Sequence, residues 1–570
     1  MFRKFTNFCS LAILILVVAC NDQRPSGAVA NLNLNRPNVL LIVADDMGFT
    51  DIGSFGSEIQ TPNIDALANQ GTRFSRFYSG SMCAPTRAML MTGTDHHVAG
   101  MGNMAEFMTK NQSGNPGYEG YLNDRVVALP KLLADNGYHT YMVGKWHLGY
   151  EHDQSPRVRG FERSFVLLNG AASHFDDMGG SDIHRPIASY REDGELIDSL
   201  PKGFYSSHSY TNKLIDQIES NRADGEPFFA YAAYTSPHFP LHAPADVRDK
   251  YVGLYDEGYD VIRAKRHREV KRQGLIPDHA TIPARPDFIP PWLSMTQESR
   301  NLAAREMEVY AAMVDDLDRN IGRLITYLKE NGLIENTLIV FMSDNGSDAF
   351  SLAKAPDAIK QNAAKYDNSL ANIGKKNSFS FIGPNWAHVG EAPFRLYKSM
   401  PTEGGIRVPA IITLPKTQLG KNQVQHINNS VVSVMDLVPT ILDLAGIDYS
   451  NLYQNIEGIT LDGRSLMPIL SGQTHSIRTD NDVLGSELLG RRAIIKGNWK
   501  IINLPKPIGS GIWELFNIMS DPGEQNNLAK DMPDKLADLI VEWDKYAIEK
   551  GIILQPPGPL QVNALKSPVK

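Results

Sequence analysis

Cysteine is scarce: Cys9, Cys20 and Cys83 are the only three in 570 residues. A disulfide-stapled scaffold is therefore excluded, and stability must come from apolar burial. Lysine and arginine form no long runs, and the net charge of −8 is modest for this length. Neither feature points to a nucleic-acid surface. Glycine and proline are near ordinary usage, with 46 and 34 residues, which excludes a fibrous or low-complexity chain. The apolar run Leu11–Val18 is too short for a good transmembrane helix. What is present is a hydrophobic content of 42%, ample for a large core. The length suggests two to four domains.

The N-terminus reads as an export signal. Arg3 and Lys4 precede the apolar run, and Ala19-Cys20 follows it. Val17-Val18-Ala19-Cys20 resembles a bacterial lipobox. That resemblance implies cleavage before Cys20, acylation of Cys20 and a lipid anchor in the cell envelope. Asn21 after the cysteine points to the outer membrane or periplasm of a Gram-negative cell. An ordinary secretory signal cut nearby, or an uncleaved anchor, is the alternative. On this reading residues 1–19 are a signal peptide and the small, polar segment 20–36 is a tether. Cys9 then leaves with the signal and Cys20 carries lipid. Cys83 remains as the only thiol in the exported body, which flags special chemistry, the alternative being a buried inert cysteine.

The body alternates strand-like and helix-like segments. Asn38–Ala44 is an unbroken apolar strand that stops at Asp45-Asp46, and Leu338–Met342 is another that stops at Ser343-Asp344-Asn345. Strands are also expected over 138–143 and 228–235, the second ending at Ser236-Pro237-His238. Helices are expected from Pro62 to before Gly71, from Leu129 to Gly137, and over 301–330, where Met307, Tyr310, Val314, Leu317, Ile321, Leu324 and Leu328 make one stripe. The pattern predicts an α/β fold: a large, mostly parallel mixed sheet flanked by helices. Ligands in such sheets bind beyond the carboxyl ends of strands, so these polar endings belong together. Segments 255–300 and 350–392 show no clear period and read as insertions, more as substrate rim than as domains. A catalytic domain is expected over 37–445. A smaller C-terminal α+β subdomain is expected over 446–570, with short strands at 492–495, 499–502 and 513–516 and a helix over 532–549. No internal repeat is visible.

Four groups carry the chemistry. Ser81-Met82-Cys83-Ala84-Pro85-Thr86-Arg87 runs into Thr92-Gly93, with Pro85 where a helix begins and Gly93 where it ends. Cys83 is thereby expected just before a helix N-terminus, a ready anion site, with Arg87 one turn on. Asp45-Asp46 and Asp344-Asn345 offer oxygen donors of the kind that hard cations take; alone, each pair is no more than a turn. Gly144-Lys145-Trp146-His147-Leu148-Gly149 places Lys145 and His147 near a strand end, where a bend is needed for both to reach one pocket. His238, and Lys398 ahead of Thr402-Glu403-Gly404-Gly405, complete the set. His242 reads more readily as structural than as a substrate contact.

These motifs resemble the type I sulfatases of the alkaline phosphatase-like superfamily, and Thr94-Asp95-His96-His97 resembles the bacterial arylsulfatase branch in particular. Cys83-Ala84-Pro85-Thr86-Arg87 matches their Cys-x-Pro-x-Arg signature, with Thr86 in place of the more frequent serine. The resemblance implies a sulfuric ester hydrolase acting on aryl sulfates or similar monoesters. It implies oxidation of Cys83 to formylglycine by a maturation enzyme, the aldehyde hydrate being the nucleophile. It implies one calcium ion per chain, rather than magnesium, at Asp45, Asp46, Cys83, Asp344 and Asn345. By the same resemblance Arg87, Lys145, His238 and Lys398 bind sulfate, Asp344 accepts a proton from the attacking group, His238 and Lys398 serve the leaving oxygen, and His147 drives sulfate release. The partners implied are a sulfate ester, the maturation enzyme and, through Cys20, a membrane; no nucleic acid is expected. Rival readings are a phosphonate or phosphate ester hydrolase of the same superfamily, a carbohydrate-specific sulfatase, and an inactive lipoprotein that binds sulfated glycans.

Overall fold

The computed structural model describes Met1 and residues 36–353, 355–418, 427–452 and 460–558. The expected signal, Cys20 and the tether up to residue 35 lie outside the described residues. No helix among the described residues is long and apolar enough to cross a membrane.

The fold is organised around β1 (Asn38–Ala44), in which all seven residues are buried. Leu40, Ile42 and Ala44 join one apolar core, and Val39, Leu41 and Val43 join another. A strand that is apolar at every position has to be covered on both faces, because its side chains alternate. Three further strands frame the site: β2 (Thr72–Tyr78), β3 (His139–Lys145) and β4 (Arg163–Leu167). β1 lies between the parallel strands Thr337–Ser343 and Phe228–Ala233, and the latter pairs in parallel with β3, which pairs in parallel with β4. Arg407–Thr413 runs antiparallel between Thr337–Ser343 and β2. With short edge strands the sheet reaches eleven strands. The expected mixed, mostly parallel sheet is what the chain forms.

The expected helical stripe lies in the helix Gln297–Glu330, which buries Met307, Tyr310, Val314, Leu317, Ile321, Leu324 and Leu328 in the first core. That helix starts earlier than expected because the Thr296 hydroxyl accepts the Ser299 N–H as its cap. α1 (Pro62–Gln70) also contributes to the first core, whereas α2 (Cys83–Thr92) and the helix Leu437–Leu444 cover the opposite face.

The segment 255–300 departs from its reading as a patternless insertion. It contains the helix Tyr259–Arg272. Arg263 and Arg266 lie on its buried side, and Arg266 donates to Glu58 at 2.9 and 2.7 Å and to Asp51. An inward face built partly of arginine leaves no apolar stripe to read. Segment 350–392 likewise contains the helices Asp357–Ala363 and Gly383–Gly390.

The C-terminal region is a four-stranded antiparallel sheet, Val483–Leu488, Arg491–Lys496, Trp499–Asn503 and Trp513–Asn517, with the helix Pro533–Glu549 packed on it. The first of these strands escapes a sequence reading because Gly485 interrupts it. A Cβ there would stand 2.4 Å from the Tyr546 ring, so the glycine is what lets the helix close on the sheet.

Two buried ionic clasps join this sheet to the main one. Lys500, fully buried, donates to Glu403 Oε1 at 2.8 Å and to Glu524 Oε1 at 2.9 Å. His97 sits between Asp95 Oδ1 at 2.8 Å and Glu487 Oε2 at 3.1 Å, and the Tyr546 hydroxyl donates to Asp95 at 2.7 Å. Burial works against a charge on His97, but Asp95 and then Glu487 outweigh it and push its pKa up to about 9, from 6.5. Between those values the folded chain keeps a proton that the unfolded chain has lost. The clasp's stabilisation is therefore complete below about pH 6.5 and is lost as pH rises through about 9. Denaturant midpoints measured from pH 6 to 10 should fall across this window, and His97→Gln should flatten that fall while lowering stability at pH 6.

Candidate active site

The site is assembled at one edge of the sheet. Ala44 lies opposite Ser343 in the parallel register, so Asp45-Asp46 and Asp344-Asn345 leave the sheet side by side. The Asp46 N–H donates to Asp344 Oδ1 at 3.1 Å, and Asn345 Nδ2 donates to Asp46 Oδ1 at 2.7 Å. Asp46 adopts φ 65°, a left-handed conformation that aspartate tolerates better than most residues. β3 ends two strands away in Lys145, whose Nζ donates to both oxygens of Asp45 at 2.9 and 2.7 Å. The strand between them leads into His238.

Cys83 arrives from β2, whose end is tied to the same edge by the Ser79 N–H donating to the Ile406 carbonyl. Met82 is extended, and α2 begins on Cys83 itself rather than at Pro85. The Cys83 Sγ lies 3.3 Å from Asp45 Oδ1 and 3.7 Å from Asp46 Oδ1. Burial, and then Asp344, raise its thiol pKa well above the ordinary value, against the pull of Lys145 and Lys398. As encoded it is held as an unreactive thiol. Arg87 donates through Nε and Nη2 to Asp344 Oδ2 at 3.1 and 2.7 Å, and through Nη1 to the Lys145 carbonyl at 2.9 Å.

Lys398 closes the ring of charges. Its Nζ donates to Asp46 Oδ2 at 2.6 Å and meets His238 Nε2 at 3.2 Å. His238 Nδ1 faces the Phe239 carbonyl at 2.7 Å, and Nε2 lies 3.2 Å from both Lys398 Nζ and Asp46 Oδ2. Burial, reinforced by Lys398, brings the His238 pKa down to about 3 against Asp46, so the ring is neutral. Burial and then Asp45 push Asp344 up to about 7, with Arg87 and Lys145 opposing. Burial would raise Asp45 too, but Lys145, His238, Arg87 and Lys398 together hold it low.

This donor set fits a divalent cation. Ligand atoms of Asp45, Asp46, Cys83 and His238 all lie within 4.8 Å of one another, and the buried Asn345 Oδ1 has no hydrogen-bond partner. Carboxylate oxygens and an orphaned amide oxygen in one dry pocket are what a hard cation takes.

Above this floor opens a cleft of about 560 Å³. Cys83, His147, His238 and Lys398 line its base, and Met82, Met104, Phe107, Phe239, Phe350 and Ile359 supply apolar walls. His147 reaches it through the bend that the sequence required, at φ 56° just beyond β3. All nine of Asp45, Asp46, Cys83, Arg87, Lys145, His238, Asp344, Asn345 and Lys398 belong to one bonded network. Arg87 and Lys145 pair with the carboxylates, and like Asp45, Asp46 and Asp344 they are not among the cleft's lining residues. Of the two segments read as rim, 350–392 contributes Phe350 and Ile359 to the cleft's lining, whereas no described residue of 255–300 lines it. His242 is structural: Nδ1 accepts the His174 N–H at 3.3 Å and Nε2 meets the Ser378 carbonyl at 2.9 Å.

Several residues of the site carry no sequence signal. Asp348, pushed up to about 7 by burial against Lys398, stands close to that lysine. Glu106 faces His147, and Tyr150 and Arg185 in turn face Glu106. They come from loops and a short edge strand without periodicity, so only the tertiary fold brings them in.

Comparison with known proteins agrees with this geometry. The sulfatase family model matches residues 37–447. An uncharacterized sulfatase of Schizosaccharomyces pombe is 46% identical over 536 residues, covering 91% of this chain and 95% of that protein. An arylsulfatase of Klebsiella aerogenes is 38% identical, covering 78% of this chain and 94% of its own length. A solved structure titled as Ps i-CgsB in complex with k-i-k-neocarrahexaose superposes with a TM-score of 0.64 at 25% identity, over 91% of this chain and 94% of that one. A buried cysteine, an acidic pocket and a cluster of buried cations meet at one sheet edge in a chain matched along most of its length, and the chain belongs to the sulfatase family, the hydrolases of sulfate esters.

Proposed function

We propose that this sulfatase hydrolyses aryl sulfates, or monoesters with a similarly apolar leaving group, using a formylglycine derived from Cys83 and a bound calcium ion. The observation that carries the substrate reading is the wall of the cleft. Phe107, Phe239 and Phe350, with Met82, Met104 and Ile359, give an aromatic ring faces and apolar edges to pack on. The cleft also presents Glu106, Asn169, Ser181, Asp182 and Arg185, the polar side chains that a carbohydrate would use. The carbohydrate reading retains the support of the structural relative solved with a neocarrahexaose. A phosphonate monoester hydrolase of Agrobacterium radiobacter, at 19% identity, shares the fold.

The reaction needs negative charge stabilised on sulfate and a proton delivered to the departing oxygen. Lys145, Arg87 and Lys398 supply fixed positive charge in a dry site, where it is worth most. Lys398 and His238 are the candidates for serving the leaving oxygen, and Lys398 carries N–H donors at the cleft base. Asp45, Asp46, Asp344 and Asn345 would hold the cation, which supplies polarisation of a sulfate oxygen and of the nucleophile when bound. Oxidation of Cys83 supplies an aldehyde hydrate, which suits the position better than a thiol held protonated by burial. Export and lipid anchoring at Cys20 complete the proposal, from the lipobox-like sequence.

Mass spectrometry of the peptide spanning Cys83, from protein made with a maturation system, should show aldehyde or hydrate in place of thiol; active enzyme with an unmodified thiol would defeat the nucleophile assignment. Cys83→Ala should abolish turnover. Chelation should stop hydrolysis of 4-nitrophenyl sulfate and lower the melting temperature, with calcium restoring both better than magnesium. The kcat/KM for 4-nitrophenyl sulfate should exceed that for sulfated oligosaccharides and aryl phosphonate monoesters by at least about tenfold, and Phe239→Ala should lower it by about tenfold. Preference for an oligosaccharide would transfer the assignment to the carbohydrate class.

A further inference from the structure

His147 is the one expected site residue outside the bonded network of the cleft floor. Its Nε2 lies 3.3 Å from Glu106 Oε1, and its Nδ1 is buried with no hydrogen-bond partner. Glu106 sits in the short turn Ala105–Phe107 and is itself buried. The same Oε1 accepts the Tyr150 hydroxyl at 3.1 Å and faces Arg185 Nη1 at 3.5 Å. Arg185 is fixed in turn by its hydrogen bond to Tyr150 and by Asp182 at 3.5 Å. The carboxylate is therefore pinned independently of the histidine.

The chemistry of this contact dictates a tautomer. Burial would raise the Glu106 pKa, but its bonds to His147 and the charge of Arg185 outweigh that and hold it below the ordinary range. An ionised carboxylate only accepts, so the imidazole nitrogen facing it must carry the proton. Burial, helped by Lys145 and Arg87 and opposed by Glu106, lowers the His147 pKa, so the ring holds one proton, not two. That proton is on Nε2, and Nδ1 keeps its lone pair. The opposite tautomer would set a lone pair against a buried carboxylate and leave that contact unbonded.

The backbone is shaped around this ring. His147 adopts φ 56°, a left-handed conformation that a non-glycine residue keeps only where the surroundings enforce it. Gly170 lies flat against the ring: a Cβ there would stand 2.7 Å from Cε1 and 2.8 Å from Nε2. Glu106, His147 and Cys83 all line the one cleft.

We propose that Glu106 is a positioning residue that fixes His147 as its Nε2–H tautomer, so that a bare Nδ1 is available in the cleft it shares with Cys83 to accept a proton during turnover. The proton-accepting role rests on the sulfatase reading; the tautomer does not. Glu106 thus acts through His147 and touches no reacting atom.

The test has two independent readouts. The first uses 15N-histidine-labelled full-length protein with unmodified Cys83, the His147 signals being assigned by comparison with His147→Gln. Nitrogen shifts should show Nε2 protonated and Nδ1 bare in the parent, and a mixture of tautomers in Glu106→Ala. A protonated Nδ1 in the parent overturns the proposal. The second uses matured enzyme and 4-nitrophenyl sulfate. Glu106→Ala should lower kcat by roughly 10- to 100-fold with KM unchanged or reduced, as losing support for a catalytic group does. Combining it with His147→Gln should cost little beyond the larger single loss. Unchanged kcat, a rise in KM alone, or additive losses would each overturn it. Glu106→Gln covers a failure of the alanine variant to fold. It keeps the acceptor oxygen and loses only charge, so it should retain the Nε2–H tautomer and lose less activity than Glu106→Ala; full activity would again count against the proposal. If the matured parent hydrolyses no sulfate ester, the functional reading fails, while the nitrogen shifts still decide the tautomer.

Discussion

Three carboxylates, Asp45, Asp46 and Asp344, stand side by side at the ends of two adjacent parallel strands, each about 1% exposed or less. Like charges this close and this dry repel strongly. Much of the surrounding structure answers that constraint. Lys145 takes both oxygens of Asp45, Lys398 takes Asp46, and Arg87 takes Asp344. The outcome is uneven, with Asp45 held low and Asp344 pushed up to about 7. A divalent cation among these oxygens and the orphaned Asn345 Oδ1 would complete the balance. The positive groups that pair with these acids are also those that suit a sulfate anion.

The same network places Cys83. Its sulfur lies over Asp45 and Asp46, at the first residue of α2. The helix end and the nearby lysines favour an anion here, yet burial and the acids keep the thiol protonated. A position that welcomes bound anions and disfavours a thiolate is suited to a modified residue. Around the floor, support arrives from far along the chain. The Lys500 clasp fixes Glu403, just ahead of Arg407–Thr413 and five residues beyond Lys398. The C-terminal sheet therefore buttresses the loop that carries Lys398.

Much of the fold was legible because apolar runs and helical stripes map directly onto burial. The run Asn38–Ala44 had to be a strand covered on both faces, and the stripe from Met307 to Leu328 had to lie along one helix. The helix Tyr259–Arg272 was not legible, since arginines paired to Glu58 and Asp51 take the place of apolar residues on its inner side. The strand Val483–Leu488 was hidden by Gly485, whose reason is a tyrosine some sixty positions later in the chain. In the site, motif residues announced themselves by their fixed spacing. Glu106, Tyr150, Arg185 and Asp348 did not, because their partners are set by three-dimensional contact.

The sequence by itself determined the chemical inventory: the Cys83 motif, the acidic strand endings, the lysines and histidines, and an alternating α/β pattern that had to gather strand ends at one edge. Local chain geometry and side-chain chemistry suffice for that. Only the tertiary structure decided how the inventory is deployed. It paired Arg87 and Lys145 with the carboxylates, set Lys398 at the cleft base against Asp46 and His238, and set Glu106 against His147. Protonation states and partners depend on burial and on charges brought from distant parts of the chain, and those quantities exist only once the chain has folded.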